Sequence, residues 1–334
     1  MKTVLVTGVG GPAGMAVIQS LQQRCERLAM VGVDMDPLAA GFRTLDQCEV
    51  VPAAQSSGYT TRMLAIAKRY HVDTVIPTVD EEVEVLAANI RRFEDAGIAI
   101  PISALQNVAT ARDKLAISSV DRVGIRGPKT FLLDSESRID DAVKDLGLPC
   151  VFKRRWGRGG RGFAIIDTIE DARFWYAKSK EQVLLQEKID GDLHLVQAIA
   201  DKGKIILSIV HKRLATKGEG SGTATSAITI SDDNSVRLLS TVLEKLNWRG
   251  AVGAEFLVKG DQHYLIDLNP RICGQSHLST MAGMNLAYAL VELATTGRTT
   301  QKNAYDKGKV YVRVWRDDVF DSSELRMTSQ ESRK

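Results

Sequence analysis

The sequence has few cysteines, no excess of one charge and no long apolar run, and each absence excludes a class of protein. The four cysteines, Cys25, Cys48, Cys150 and Cys273, lie far apart, without the CxxC pairs typical of zinc sites. The 44 basic and 41 acidic residues leave a net charge of +3, so neither nucleic acid nor a membrane surface is expected as the main partner. No apolar run reaches the roughly 18 residues that a membrane-spanning helix needs.

These absences also favour one cellular setting. The unpaired cysteines fit a reducing compartment. The apolar part of the opening, Met1 to Gly11, is too short for a signal peptide. We therefore expect a soluble, cytoplasmic protein.

The chain has 334 residues, which is the length of roughly two or three typical domains. Over residues 1–104 strands and helices alternate, with strands at Thr3–Thr7, 30–34, 74–77 and 98–101 and helices at 15–23, 60–70 and 81–96. This alternation is typical of an α/β, Rossmann-like domain with a parallel, doubly wound sheet.

After Pro101 the pattern changes to mixed helices and β-rich runs, as expected for an α+β fold. Helices are predicted at 105–120, 135–146, 169–180, 235–247 and 286–296, and strands at 130–133, 163–167, 183–186, 193–200, 204–210 and 224–230. We assign this second domain to residues 105–300. The remaining residues, 301–334, are predicted to form one strand at 310–315 and a frayed tail.

One octamer, Tyr264 to Arg271 (YLIDLNPR), points to metal chemistry. A strand there would place Asp267 and Asn269 on the same face, and both offer oxygen to Mg²⁺ or Mn²⁺. Glu255 lies in a second apolar run, VGAEFLVKG, which ends at Gly260–Asp261, so a hairpin would bring it opposite the other two. The alternative is an ordinary hairpin with a polar edge.

Arg271 follows these candidate metal ligands directly. A planar guanidinium holds two phosphate oxygens at once, so this position suits a polyphosphate.

The first glycine-rich loop, Thr7–Gly14, leaves two interpretations open. Its Gly8, Gly11 and Gly14 match the TGxxGxxG spacing of short-chain dehydrogenases, and Asp34 follows at the end of the next strand. Tyr176 and Lys180 even supply the Tyr-x-x-x-Lys pair of those enzymes, which would make the protein an NAD(P)-dependent oxidoreductase. Alternatively, the loop is a tight packing turn that lines a substrate pocket.

A second glycine-rich loop follows the strand that carries Lys153. Four glycines leave its backbone free to close over phosphates: Gly157, Gly159, Gly160 and Gly162. Four arginines supply positive charge: Arg154, Arg155, Arg158 and Arg161. We predict a mobile lid. Lys114 is a further candidate phosphate cation. The alternative is a solvated basic loop that binds RNA, although aromatic residues are not interleaved in it.

Taken in order, these motifs resemble the ATP-grasp superfamily. The resemblance rests on Asp113–Lys114, Val151–Lys153 with its glycine loop, Leu184–Asp192, Glu255 and Leu265–Arg271. It covers about residues 105–297 and is nearest to carbamoyl-phosphate-synthase-like members and free-standing carboxylate–amine ligases. It implies a Rossmann-like pre-ATP-grasp domain and then two subdomains, at about 105–185 and 186–300.

The resemblance also implies roles for individual residues. The ATP phosphates would be contacted by Lys114, Lys153, Gly157, Gly159, Gly160 and Gly162. Adenine and ribose would be contacted by Gln186, Glu187, Lys188, Ile189 and Asp192. Mg²⁺ would be held by Glu255, Asp267 and Asn269. Arg271, with Lys153, would stabilise the transferred phosphate. The sequence departs from the family at Asp267 and Asp192, which are shorter acids than usual, and at Arg154, where proline is common.

The chemistry implied is ADP-forming activation of a carboxylate as an acyl phosphate, followed by attack of an amine, as from an amino acid or small peptide. The partners would be small-molecule acids and amines, with a homodimer as an option. Phosphorylation of a carboxylate or carbamate, as in carbamoyl phosphate synthase, is the alternative, and a non-catalytic nucleotide-binding regulator is another.

Two residues are candidates for substrate recognition. Arg213 could clamp a carboxylate bidentately, or it could lie on a basic strand edge. His277 could deprotonate the amine, or it could be structural. Cys273 is interpreted as a small buried residue and not as a nucleophile.

Overall fold

The computed structural model describes residues 1–23, 28–118, 125–157, 159–179, 181–218, 222–314 and 316–324. The described strands form three sheets. One is parallel and near the N-terminus, and the other two are antiparallel.

The first sheet confirms the Rossmann-like prediction. It contains β1 (Thr3–Thr7), β2 (Ala29–Asp34), β3 (Gln47–Val50) and β4 (Thr74–Ile76), all parallel, in the order β3-β2-β1-β4. The helices that accompany it are α1 (Pro12–Gln22), α2 (Tyr59–Arg69), α3 (Asp80–Ala88) and α4 (Ile90–Glu94). β1 is the central hydrophobic strand, with Val4, Leu5 and Val6 fully buried.

Two predictions in this region were wrong in detail, and one strand was not predicted. The single helix expected at 81–96 is interrupted at Asn89, which separates α3 from α4. The strand expected at 98–101 is reduced to one bridge between Ala99 and Thr74. β3 was missed, because its four residues include the exposed Gln47 and the half-buried Glu49 and carry no apolar run.

The second sheet is small and antiparallel. After α5 (Leu105–Arg112) and α6 (Lys114–Ser118) come β5 (Thr130–Leu133), α7 (Arg138–Leu146), β6 (Cys150–Arg154), β7 (Ala164–Ile166), α8 (Ile169–Lys178) and β8 (Val183–Glu187). The strand order is β5-β8-β6-β7. The buried residues Ile139 and Val143 of α7 and Ala172 of α8 share one core with Phe152 of the sheet. This core supports Lys153 and the loop after it.

The third sheet has six strands. It consists of β9 (Asp192–Asp201), β10 (Lys204–Thr216), β11 (Ala224–Ile230), β12 (Gly250–Lys259), β13 (Gln262–Asn269) and β14 (Val310–Val312), in the order β13-β12-β9-β10-β11-β14. The chain also forms α9 (Asp233–Lys245), α10 (Ser276–Met281) and α11 (Leu286–Thr296). α10 was not predicted, because its small and polar residues show no apolar pattern with a helical period. β14 ends at Val312, earlier than predicted.

The N-terminal sheet is joined to the large sheet through a shared core. Val17 and Leu21 of α1 pack in one cluster with Leu286 and Leu290 of α11. Ser20 also accepts hydrogen bonds, at 2.8 Å from the Thr280 hydroxyl and at 2.6 Å from the Asn285 amide. The first glycine-rich loop is thereby held beside the end of β13. Within the described residues, no helix is both long and apolar enough to cross a bilayer.

Candidate functional site

The predicted hairpin forms and has the predicted register. β12 and β13 pair antiparallel, with Glu255 opposite Asp267 and Gly253 opposite Asn269. The turn falls at Gly260 and Asp261, where the sequence placed it. Two carboxylates and an amide therefore share one end of the hairpin.

The two carboxylates are paired with basic residues from other elements. Arg213 of β10 donates to Glu255 Oε1 at 2.8 Å, and Lys114 Nζ lies 3.1 Å from Asp267 Oδ1. Asn269 Nδ2 is 3.5 Å from Asp267 Oδ2. The two basic side chains compensate the negative charges of the carboxylates.

These side chains fit Mg²⁺ through their donor atoms. Among the described residues no group of three or more His, Cys, Asp or Glu side chains could hold a metal ion by itself. Two carboxylates and one amide oxygen nevertheless form an oxygen-only set, and Mg²⁺ commonly takes one or two carboxylates and completes its shell with water and substrate phosphates. Glu255, Asp267 and Asn269 would hold the ion if Arg213 and Lys114 turned to the phosphates.

Lys153 lies buried beside these charges. Its ammonium is 3.5 Å from the carbonyl oxygen of Ile266. Burial, together with the positive charge of Lys114, lowers the pKa of Lys153 to about 8, against the opposing effect of Asp267 and Glu255. A phosphate placed here would compensate for the lost hydration and favour the charged form of the lysine.

A cavity of about 470 Å³ lies between the two antiparallel sheets and collects most of the predicted residues. Its lining includes Lys114, Lys153, Gly157, Gly159, Gly160, Gln186, Glu187, Lys188, Ile189, Asp192, Arg213, Glu255 and Asp267. The structure thus brings together residues that are as much as 153 positions apart in the chain, from Lys114 to Asp267.

Several side chains of the segment predicted to bind adenine and ribose have protein partners. Gln186 donates to the Thr130 hydroxyl at 2.6 Å, and Glu187 accepts a 3.2 Å bond from the Lys129 amide. Asp192 pairs with Lys212 at 2.6 Å. The Glu187 side chain is therefore turned to the backbone of Lys129, and Asp192 would have to leave Lys212 to bind a ribose.

The glycine lid has the backbone conformation that glycine alone adopts readily. Gly159 and Gly160 have φ values of 63° and 73°, and the Gly157 carbonyl accepts a 2.8 Å bond from Lys114. Gly162 does not line the cavity, because it packs against the Arg154 side chain. Arg158 lies outside the described residues.

The base of the lid is fixed by an ion pair that sequence reasoning missed. Arg155 donates to both carboxylate oxygens of Asp113, at 2.8 and 2.5 Å. Burial alone would raise the pKa of Asp113, but these hydrogen bonds hold it below its ordinary value. The neighbouring residues Asp113 and Lys114 were the available signal in the sequence. Asp113 binds the side chain of Arg155, and Lys114 binds the backbone of the glycine-rich loop.

A second cavity, of about 170 Å³, lies between the β12–β13 hairpin and the first glycine-rich loop. Its lining includes Gly8 and Gly11 of the loop, and Asn269 and Arg271 at the end of the hairpin. Arg271 donates to Asp80 at 2.6 Å and to Asn269 at 3.1 Å. Burial alone would lower the pKa of Arg271, but the neighbouring acidic groups, led by Asp80, together outweigh this effect and raise it.

Arg213 and His277 have different positions relative to these cavities. Arg213 lines both of them, and its Nε is buried without a hydrogen-bond partner among the described residues. His277 lines neither. Burial lowers its pKa, and its Nδ1 also has no partner within the described part of the chain. The geometry does not bring His277 to the site, so a general-base role has no support.

Cys273 is buried, as expected from its interpretation as a small packing residue. Burial raises the pKa of its thiol to about 12, so the thiol stays protonated at neutral pH. A Cβ at Gly253 would lie 2.1 Å from its sulfur, which explains why glycine stands opposite Asn269.

Comparison with family models divides the chain into two parts. Residues 4–101 match the model of the PylC-like N-terminal domain. Residues 111–275 match the model of the ATP-grasp domain.

Curated relatives are similar at low identity. The large chain of carbamoyl phosphate synthase from Vibrio vulnificus is 23% identical over 256 residues, covering 72% of this chain and 23% of the relative. Formate-dependent phosphoribosylglycinamide formyltransferase from Burkholderia lata is 24% identical over 287 residues, covering 80% of this chain and 68% of that enzyme. The chain therefore spans only about a quarter of the synthase.

Solved structures share the fold. The biotin carboxylase domain of 2-oxoglutarate carboxylase from Hydrogenobacter thermophilus, solved with MgADP and bicarbonate, has a TM-score of 0.71 at 17% identity, covering 92% of this chain and 73% of that one. N5-carboxyaminoimidazole ribonucleotide synthetase from Thermus thermophilus gives 0.68 at 17% identity, covering 90% and 80%.

These findings correct the oxidoreductase alternative. Tyr176 lies on α8, where it packs against the core of the second sheet, and Lys180 lies outside the described residues. In the first loop a Cβ at Gly14 would lie 2.3 Å from the Gly8 carbonyl oxygen, so this glycine of the TGxxGxxG spacing serves close packing of the loop against the helix. The chain belongs to the ATP-grasp superfamily, with an ATP-grasp domain preceded by a PylC-like N-terminal domain.

Proposed function

We propose that the protein is an ADP-forming, ATP- and Mg²⁺-dependent ligase. It activates a carboxylate as an acyl phosphate and joins it to an amine of an amino acid or small peptide. The observation that carries this proposal is the convergence of Lys114, Lys153, Glu255 and Asp267 on the cavity that the glycine lid covers.

The larger cavity supports nucleotide binding by its size and its distribution of charge. A volume of about 470 Å³ falls within the range of roughly 300–1,000 Å³ that small-molecule sites occupy. Val151, Ile165 and Leu257 give it apolar walls that suit a base, while Lys114 and Lys153 suit phosphates. The segment 186–189 would border adenine.

Glu255, Asp267 and Asn269 are proposed as the Mg²⁺ ligands. The bound ion would neutralise phosphate charge and orient the γ-phosphate. Loading of the site would release Arg213 from Glu255 and Lys114 from Asp267, and both basic side chains would then face substrate oxygens. Arg213 Nε is buried and has no hydrogen-bond partner among the residues that the structure describes, which supports this role, because a buried donor without an acceptor is uncommon in proteins.

Two group transfers make up the proposed reaction. A carboxylate oxygen attacks the γ-phosphorus of ATP, and the bond from that phosphorus to the β–γ bridging oxygen breaks, so ADP leaves with the electron pair. The amine nitrogen then attacks the acyl carbon, the carbon–oxygen bond to phosphate breaks, and phosphate leaves. The nitrogen releases its extra proton to solvent.

The residues of this chain would assist both transfers electrostatically. Lys153 and Arg271 would stabilise the transferred phosphoryl group, and Arg213 would orient the carboxylate. Closure of the lid over the acyl phosphate would exclude water that would otherwise hydrolyse it.

A second candidate is phosphorylation of a carboxylate or carbamate without amide formation. It is supported by the similarity to the large chain of carbamoyl phosphate synthase, which covers 72% of this chain. Product analysis separates the two candidates, because only the ligase consumes an amine in proportion to ADP.

The test is ADP and AMP release from Mg²⁺-ATP with pools of small acids and amines, with mass spectrometry of the products. We expect ADP release that needs one acid pool and rises with one amine pool, with an amide as product. Formation of AMP would contradict the acyl-phosphate route. The second candidate would be favoured if ADP release did not depend on an amine and if the ADP formed equalled the acyl phosphate trapped with hydroxylamine.

A further inference from the structure

The second cavity contains an arginine that the ATP-grasp motifs do not include. Arg313 follows β14, where the chain leaves the edge of the large sheet, and its guanidinium lines this cavity together with Arg213 and Arg271. Its Nη2 donates to the Gly274 carbonyl at 3.0 Å, and its Nε lies 3.4 Å from the Ala224 carbonyl.

The charge of Arg313 is balanced differently from that of its two neighbours. Arg213 is paired with Glu255 and Arg271 with Asp80. In the part of the chain that the structure describes, no carboxylate lies within 4.0 Å of Arg313. Its partners there are two carbonyl oxygens and the ring of Tyr311, whose centroid lies 5.4 Å from the guanidinium carbon. A guanidinium has five N–H donors, so the two bonds to carbonyls leave donors for an anion.

Arg313 and the end of the β12–β13 hairpin line the same cavity. The Gly274 carbonyl that Arg313 contacts lies next to Pro12 of the first glycine-rich loop, where a Cβ on Gly274 would come within 3.0 Å of the proline Cβ. Asp267 and Asn269 also line this cavity. A small molecule that reacts beside the hairpin would therefore share the cavity with Arg313.

We propose that Arg313 binds a carboxylate that does not itself react, carried by a small acid or amino acid substrate. The inference rests on the proposed function for the reacting end of that molecule. One guanidinium without a charged partner matches one negative charge. It would leave the second charge of a phosphate monoester uncompensated.

The size of the cavity supports the same choice. At about 170 Å³ it is smaller than the roughly 300 Å³ at which sites for drug-sized ligands begin. A short dicarboxylate or an amino acid suits such a volume better than a phosphoribosyl group. The first glycine-rich loop would then close the cavity and would not need to hold a phosphate.

The test compares Arg313→Gln with Arg316→Gln, a matched control at an exposed position three residues on. Binding of succinate, glycine, acetate and inorganic phosphate is measured by calorimetry in the presence of MgADP, without turnover. We expect wild type and the control to bind succinate or glycine more tightly than acetate, and Arg313→Gln to lose about tenfold or more of that affinity. Arg313→Lys should recover part of it.

Three outcomes would overturn the proposal: equal binding by Arg313→Gln and wild type, no preference of wild type over acetate, or tighter binding of phosphate than of any carboxylate. ADP release with succinate alone would show that the activated acid carries the carboxylate that binds Arg313. ADP release that depends on glycine, and only when a second acid is present, would show that the amine substrate carries that carboxylate. We expect Arg313→Gln to bind MgADP with unchanged affinity, which would show that the substitution leaves the nucleotide site intact. The test of Arg313 and the test of the ligase proposal can then fail or succeed independently.

Discussion

Lys114 contacts Asp267 at 3.1 Å across the floor of the larger cavity. The same ammonium donates to the Gly157 carbonyl at 2.8 Å, so one side chain joins the start of α6, the hairpin and the lid. If a metal ion and a nucleotide bind as proposed, Lys114 would exchange both contacts for phosphate oxygens. We therefore expect the position of the glycine-rich loop to depend on occupancy of the hairpin.

Removing the candidate metal ligands should abolish turnover without unfolding the protein. For Asp267→Asn combined with Asn269→Ala we expect a loss of ADP formation of about a thousandfold, because several kcal/mol of charge stabilisation disappear with the ion. ADP release is measured against Mg²⁺ concentration, with thermal unfolding as the check on folding. Asp261→Asn, in the exposed turn of the same hairpin, is the control and should behave as wild type. Retained turnover in the double variant would show that the ion is held elsewhere.

Stiffening the lid should affect the reaction more than binding. Alanine at Gly159 and Gly160 must adopt φ values of 63° and 73°, which strain a residue with a Cβ. We expect kcat to fall about tenfold with less than a threefold change in the Kd of ATP. Gly97→Ala, at a φ of 74° with open space around it, controls for the strain itself. Equal losses of kcat and affinity would reduce the loop to a binding element.

Binding of ATP should weaken above pH 8. Burial and the charge of Lys114 lower the pKa of Lys153 from 10.5 to about 8, so above that pH the free protein must take up a proton before the ammonium can pair with phosphate. The Kd should rise by up to about tenfold per pH unit beyond this point. Calorimetry from pH 7 to 9.5 measures this slope. Lys153→Arg, whose charge is fixed, should show a flatter profile, and an unchanged slope would assign the titration to another group.

Breaking the contact between Arg271 and Asp80 should destabilise the fold. Both side chains are largely buried, so Asp80→Asn would leave the guanidinium without its carboxylate at a cost of about 3 kcal/mol. Urea unfolding measures this loss. Asp145→Asn, in a half-exposed ion pair with Lys129, should cost less than about 1 kcal/mol. If Asp80→Asn costs as little as the control, Arg271 is not held by this pair and is free to meet substrate.

Local patterns in the sequence predicted much of the fold and of the site. β1, β5, β11 and α11 have the predicted bounds or nearly so, because their apolar periods and flanking turns are strong. The pairing of Glu255 with Asp267 followed from the two apolar runs and the turn between them. Elements without an apolar pattern, such as β3 and α10, were missed because tertiary packing forms them.

By itself the sequence determined the order of the segments proposed to bind phosphate, base and metal, because each depends on residue types within a few neighbouring positions. Only the tertiary structure decided which groups meet: Arg213 with Glu255, Arg271 with Asp80, and Arg313 with carbonyl oxygens beside a small cavity. These partners come from different sheets and from positions up to 191 residues apart, as for Asp80 and Arg271. Side-chain contacts at that separation depend on how the sheets pack, which no local pattern records.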